Sequence, residues 1–400
     1  MALADNQKGM PHLFSGLAAL TLAAATLFAG ERVAIHLEQT TISSTAPQLF
    51  PLKNQGLVFQ RAALRAPGVL PLYGTSELII PSIQDRANLF FRSAPTGFQV
   101  SPVGGGGANL LVMLQKIGAL GPDLRSKKLV ISLSPGWFWK VQPGWRGYEG
   151  NFSPMAASKL IFGTGLNFEL KREIASRMLE SPSTLEGKPL LTFALRRLAS
   201  GGWLDRFVFC GLWPAGKVQT ALLTFQDHFA ALNYIRSQIK PAPQPHPELL
   251  NWPKLIAKVS ETKAVEAGNI KEAPNFDHAL VVPGSHDAAF RRDLNESPGW
   301  QNLELLLRVL QQVHARPLIL SMPMGGDFYD RAGISRSARE DYYAKLRALV
   351  QRYHFPLVEF KAHDEDPAFL IRHESHLTAK GWMYYNRALD NFFHGRSPRS

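Results

Sequence analysis

A chain of 400 residues, 45% hydrophobic and 19% charged, has a globular rather than disordered composition and room for one large α/β domain or two smaller ones. Its formal net charge of +12 suits a polyanionic partner such as acidic lipid headgroups or a phosphate-bearing glycopolymer, whereas the scattered Lys and Arg residues, in no run interleaved with aromatics, argue against nucleic acid. The single cysteine, Cys210, excludes an intramolecular disulfide and a cysteine-cluster metal site, and no metal or other cofactor is expected.

After a short N-terminus over residues 1–12, Leu13 to Gly30 is an uncharged apolar run broken only by Ser15, Thr21 and Thr26. As a helix it matches a hydrocarbon core of about 30 Å. Three readings are open: a transmembrane anchor, a cleaved signal peptide and a buried core helix. Lys8 ahead of the run favours a cytoplasmic N-terminus, and the anchor reading then places everything after residue 30 outside the cytoplasm. Residues 31–65 read as a polar connector to a domain over 66–394.

In that domain Val69 to Tyr73 is a short apolar strand ending at Gly74, with Pro71 a blemish, and residues 76–92 are expected to open a helix directly after it. Gly104 to Gly107 is a glycine loop ahead of an amphipathic helix carrying Leu110, Leu111, Leu114 and Ile117. Lys128 to Ser134 reads as a buried parallel strand closed by Pro135. A mainly helical insertion follows over about 154–250, with Phe207 to Cys210 its one strand candidate and Cys210 expected to be a buried, inert thiol. Residues 241–248 are a stiff proline-rich linker. Ser297 and Pro298 open a leucine-rich helix, Pro317 to Met322 is a strand, and Ser337 and Glu340 have capping-box spacing. Pro356 to Phe360 is the next strand, and a last helix runs from about Thr378 to Phe393. The alternation predicts a mostly parallel sheet with helices on both faces and ligands at the carboxyl ends of its strands.

Ser76 falls at such an end. A serine there, opening a helix, has an exposed hydroxyl and free backbone N–H groups beside it; it is equally suited to being a plain N-cap. As a nucleophile it needs a base, and His376, just ahead of the last helix, is the histidine best placed to face the same crevice. Candidate oxyanion donors are the N–H of Ser76, the loop residues Gly106 and Gly107 and the side chain of Asn109. Ser134, Trp137 and Phe138 are candidate lining residues for an acyl group, although aromatics after a strand also serve as core.

The ordered series of Leu72-Tyr73-Gly74-Thr75-Ser76-Glu77-Leu78, the glycine loop, Ser134-Pro135-Gly136-Trp137-Phe138, Glu296-Ser297-Pro298-Gly299-Trp300, Phe328 to Gly333 and His376 to Trp382 resembles the DltD family of D-alanyl transfer proteins. That resemblance implies an SGNH-hydrolase-like α/β domain outside the cytoplasm, held by an N-terminal transmembrane helix. It also implies a membrane-bound acyltransferase of the MBOAT type as partner, an acylated donor, and D-alanine esters on lipoteichoic acid as product. This sequence departs from the family pattern at His373, where Asp is usual three residues before the histidine. Glu374 is the candidate replacement for that acid, with Asp364 and Asp366 as further ones. Gly136 likewise replaces the usual Gln, and Gly325-Gly326 stands where Asn is expected. A serine esterase or thioesterase, or a non-enzymatic docking subunit, would carry the same residues.

Overall fold

The computed structural model describes residues 10–80, 83–138, 147–238, 247–263, 281–371 and 376–397. Most of the 241–248 linker, with His373 and Glu374, lies outside these.

Five strands form one sheet: β1 (Val69–Gly74), β2 (Gln99–Gly104), β3 (Lys128–Leu133), β4 (Arg316–Ser321) and β5 (Leu357–Glu359). Their order is β2-β1-β3-β4-β5 and every pairing is parallel. In β3, Leu129, Ile131 and Leu133 join one core while Val130 joins the other; in β4, Ile319 faces the first and Leu318 and Leu320 the second. This period-two division means both faces of the sheet are buried. Helices Leu110–Leu120, Pro298–Gln312 and Arg336–Arg352 supply the first core, and Ala87–Ser93, Trp252–Lys263 and Ala379–Phe393 the second. The α/β, mostly parallel architecture expected from the sequence is therefore present. A two-residue antiparallel hairpin, β6 (Leu370–Ile371) and β7 (His376–Leu377), precedes the last helix.

Several local expectations are corrected. Strand β2 was not foreseen, because Ser101, Pro102 and Gly104 make it a poor strand by composition; its edge position tolerates the proline. It also takes Gly104 out of the glycine loop. Ser76 opens a 3-10 turn, Ser76–Ile79, and among the described residues the next α-helix begins at Ala87. Pro81 disfavours helical backbone at Ile80, whose ψ is 111°. The helix expected to start at a Ser337 cap starts two residues earlier, with Ser335 accepting the Ala338 N–H.

The N-terminal helix, Met10–Thr45, runs well beyond the apolar run, so most of residues 31–65 are helical rather than connector, with Pro51–Gln55 and Val58–Arg65 following. Ala34, Glu38 and Ile42, four residues apart, dock it onto the domain. Leu13, Leu17 and Leu20 stay exposed, and among the described residues this is the one helix long and apolar enough to cross a membrane. Phe207 to Cys210 belongs to a 36-residue helix, Trp203–Gln238, rather than to a strand, and Cys210 is exposed rather than buried.

Candidate active site

The strand order reverses at β1, which has β2 on one side and β3 on the other. In open parallel sheets the crevice at such a switch point, beyond the carboxyl ends of the strands, is where ligands bind. Ser76 stands two residues past the end of β1 in that position. Two glycines let the chain turn there. A Cβ on Gly74 would lie 2.3 Å from Glu77 Oε1, and one on Gly104 would lie 2.1 Å from the Gly74 carbonyl oxygen. The ends of β1 and β2 can therefore approach this closely only without side chains.

The β6–β7 hairpin brings His376 to the same edge. Its Nε2 is 2.8 Å from Ser76 Oγ, across 300 positions of sequence. With the ring proton on Nδ1, the serine hydroxyl donates to Nε2, the arrangement general-base activation of a serine requires. Thr378 fixes the hairpin to the last helix: its hydroxyl donates to Ala368 O and its Oγ1 accepts the Gly381 N–H at 3.2 Å.

Beneath the serine, Glu77 is fully buried, and its Oε2 accepts the Thr75 N–H at 3.0 Å. Burial pushes this carboxyl up to about 7, against the opposing pull of that N–H. A carboxyl raised in the folded state favours folding while neutral and loses that advantage as pH rises through its folded value. Stability is therefore expected to fall by about 3 kcal/mol between pH 4.5 and 8 on account of Glu77. Glu77→Gln keeps an acceptor for Thr75 and cannot ionise. Its melting temperature should exceed that of the parent at pH 8 and flatten the decline from pH 5.5 to 8. An unchanged slope would contradict an ionising Glu77. Asp364, also raised to about 7 by burial, retains part of the pH dependence in both chains.

The glycine loop stands against the serine turn. Thr75 Oγ1 donates to Gly105 O at 3.3 Å, a Cβ on Gly106 would touch Ile79 Cδ1 at 3.5 Å, and Gly107 has φ +75°, a left-handed conformation that favours glycine. Two asparagines that sequence reasoning missed hold the loop and the strand end that leads into it. Asn54 Oδ1 accepts the Gly104 N–H at 2.8 Å, and Asn151 Nδ2 donates to Gly106 O at 3.1 Å. No motif announces them, since each sits in a five-residue helix remote from the loop in sequence. Asn109 is the N-cap of helix Leu110–Leu120, its Oδ1 accepting the Val112 N–H at 3.1 Å. Its amide oxygen is thus committed to the helix.

Ser134 is buried just past the end of β3. Phe138 does not line the crevice. It is fully buried in the first core, its ring centroid 4.3 Å from that of Trp300, because the 3-10 turn Pro135–Trp137 directs it inward. Trp137 is partly buried against the same core. The contacts of the alternative acids tie them elsewhere. Asp364 Oδ1 accepts from the Tyr343 hydroxyl and the Met324 N–H, and Asp366 pairs with Lys380 at 2.7 Å. Glu374 lies outside the described residues. Among those described, no cluster of His, Cys, Asp or Glu suited to a metal is present.

A family profile described as "DltD protein" matches residues 46–394. The chain is 26% identical over 365 residues to a protein named Protein DltD from Bacillus subtilis (strain 168), covering 88% of this chain and 89% of that one. It is 22% identical over 371 residues to Protein DltD of Staphylococcus aureus (strain NCTC 8325 / PS 47), with 90% of each chain covered. Protein DltD of Lacticaseibacillus rhamnosus is 22% identical over 369 residues, with 88% and 84% covered. The match takes in the sheet, the helical insertion and the edge on which Ser76 and His376 meet, and on that extent the chain belongs to the DltD family.

Proposed function

We propose that this chain is a membrane-anchored acyl-transfer enzyme of the cell envelope that moves a D-alanyl group onto hydroxyls of a teichoic acid or similar phosphate-rich polymer. The observation that carries this reading is the Ser76–His376 contact at the switch point of the sheet. The family works in the D-alanylation of teichoic acids, and a net charge of +12 suits a polyanionic acceptor.

In this mechanism His376 Nε2 takes the Ser76 proton as Oγ attacks the acyl carbonyl of an ester or thioester donor. The proton then passes to the departing alcohol or thiol, leaving D-alanyl on Ser76. A polymer hydroxyl next attacks that ester, His376 accepts its proton and returns it to Ser76, and the D-alanyl ester is released on the polymer. The N–H of Ser76 and the Gly106-Gly107 loop are the proposed donors to the developing oxyanion. His376 is the base, and Glu374 the acid proposed to orient it. Ser134 and Trp137 are the proposed lining residues.

The anchor exits toward the opposite edge of the sheet. A cavity of about 370 Å³ lined by Glu31, Arg65, Gly121 and Asp123 lies beside the amino ends of the strands, whereas Asn54 reaches the carboxyl end of β2. From Glu31 the helix rises about 21 Å to Thr45. The crevice thus stands off the bilayer, where an extended polymer reaches it. Incubating the full-length protein in lipid nanodiscs with a D-alanyl thioester, with and without teichoic acid, tests the reading. Ester on the polymer, together with a D-alanyl adduct on Ser76, is expected; release of free alanine at the same rate with or without polymer would instead assign an esterase.

A further inference from the structure

Helix Trp203–Gln238 is built inside out. Trp203, Phe207, Val218, Leu222 and Phe229 fall within about 100° of one another around its axis, and each is 59–77% exposed. The opposite side, which meets the domain, carries Phe209, Gly216, Thr220 and Asp227, all buried. Asp227 is held there by the N–H groups of Leu57 and Val58, at 2.7 and 3.0 Å. A helix on the surface of a water-soluble domain has the reverse arrangement. The sequence shows why this one differs: Phe207 to Gly216 is ten residues without a charge.

The position of this helix says what covers it. It runs in the same direction as the N-terminal helix. Glu31 lines one cavity with Lys217, Thr220 and Thr224, Glu38 Oε1 meets His228 Nδ1 at 2.7 Å, and Phe50 stacks on Tyr234 with centroids 4.3 Å apart. Going backwards from Glu31, the N-terminal helix enters its apolar run. Going backwards from Lys217, the second helix extends about 20 Å toward the same side and ends at Trp203. Basic side chains ride on aromatic rings along this end: Arg206 lies 4.3 Å from the centroid of Phe168, Arg197 4.6 Å from Phe193 and Lys217 4.6 Å from Trp213. Aromatics and cations gathered at one end of this helix and of its neighbours Phe168–Leu179 and Pro189–Ser200 are the composition that settles into the headgroup region of an anionic leaflet.

We infer that the outer face of helix Trp203–Gln238, from Trp203 to Leu222, is a second membrane contact, seated in the leaflet from which the anchor emerges. The bilayer covers an apolar face that water would otherwise meet. Together with the anchor it holds the domain at two places, fixing the orientation of the Ser76 crevice instead of leaving it to swing on one helix.

This inference rests on the anchor reading, and the test separates the two. Cys210, the one cysteine of the chain, is exposed at this end of the helix and takes a nitroxide label without mutagenesis. Two further labelled chains carry Cys210→Ser with either Leu20→Cys in the apolar run or Asp327→Cys, at an exposed position past the carboxyl end of β4. Each full-length protein is reconstituted in vesicles of phosphatidylglycerol and phosphatidylcholine. Collision of the label with oxygen, which partitions into lipid, is compared with collision with a water-soluble nickel chelate. The expected result is that the Cys210 label favours oxygen, as at position 20, while the label at 327 favours the chelate. A Cys210 label as chelate-accessible as that at 327, with position 20 still in lipid, overturns the inference and leaves the anchor intact. A chelate-accessible label at position 20 overturns the anchor reading instead. A Cys210 label shielded from both reagents points to a second copy of the chain on this face and also overturns the inference. As a second measure, Phe207→Asp with Leu222→Asp, changes on the solvent side of the helix, should shift the Cys210 label toward the chelate by severalfold.

Discussion

Replacing Ser76 by alanine is expected to remove ester-linked D-alanine from the envelope of cells that depend on this chain, while the protein remains folded and in the membrane fraction. The hydroxyl is the only atom lost, and the buried Glu77–Thr75 contact that shapes the turn is untouched. If Ser76 is the nucleophile, the rate falls by about 10⁴-fold or more, the scale on which serine–histidine machinery fails when one member is removed. His376→Ala should lose nearly as much, and the double substitution little more, because the two act as a unit across a 2.8 Å contact. Alkali-released D-alanine, normalised to the amount of anchored protein, is the measurement. Unchanged ester content in Ser76→Ala would reduce Ser76 to a turn residue and leave the chain as a docking subunit.

The second large effect is expected at Gly104. An alanine there places Cβ 2.1 Å from the Gly74 oxygen and 2.7 Å from its carbonyl carbon, both backbone atoms of the neighbouring strand. No rotamer relieves such a clash, so the ends of β1 and β2 must separate directly before Ser76. The cost should be about 3 kcal/mol, at the upper end of ordinary overpacking, and transfer activity should be lost with it. Gly136→Ala is the contrast, since its Cβ would meet only Ser134 Oγ at 3.7 Å. Melting temperatures of the two full-length variants should therefore differ by several degrees, with Gly136→Ala close to the parent. Equal stability would show that the β1–β2 contact opens without cost.

Much of this fold is legible in the sequence. The runs that became β1, β3 and β4 are dense in Leu, Ile and Val because a strand buried on both faces has no polar side to display. Helix starts at Ser297 and Thr378 are legible in the sequence because their side chains satisfy free N–H groups locally. Strand β2 escaped notice because its pairing with β1, and not its own residues, makes it a strand. Phe138 follows a strand end, where a site residue is expected, but the direction of one turn sends it into the core.

By itself, then, the sequence determined what depends on neighbours in the chain: the uncharged run at residues 13–30, the strand–helix alternation, a serine past the first strand and a histidine before the last helix. The tertiary structure alone decided what depends on distant segments meeting. It set Ser76 Oγ within 2.8 Å of His376, brought Asn54 and Asn151 to the glycine loop, and buried Asp227 while leaving Phe207 and Cys210 outside. The physical reason is that periodicity records which residues share a face of an element, whereas the neighbour that face meets is chosen by packing over the whole chain.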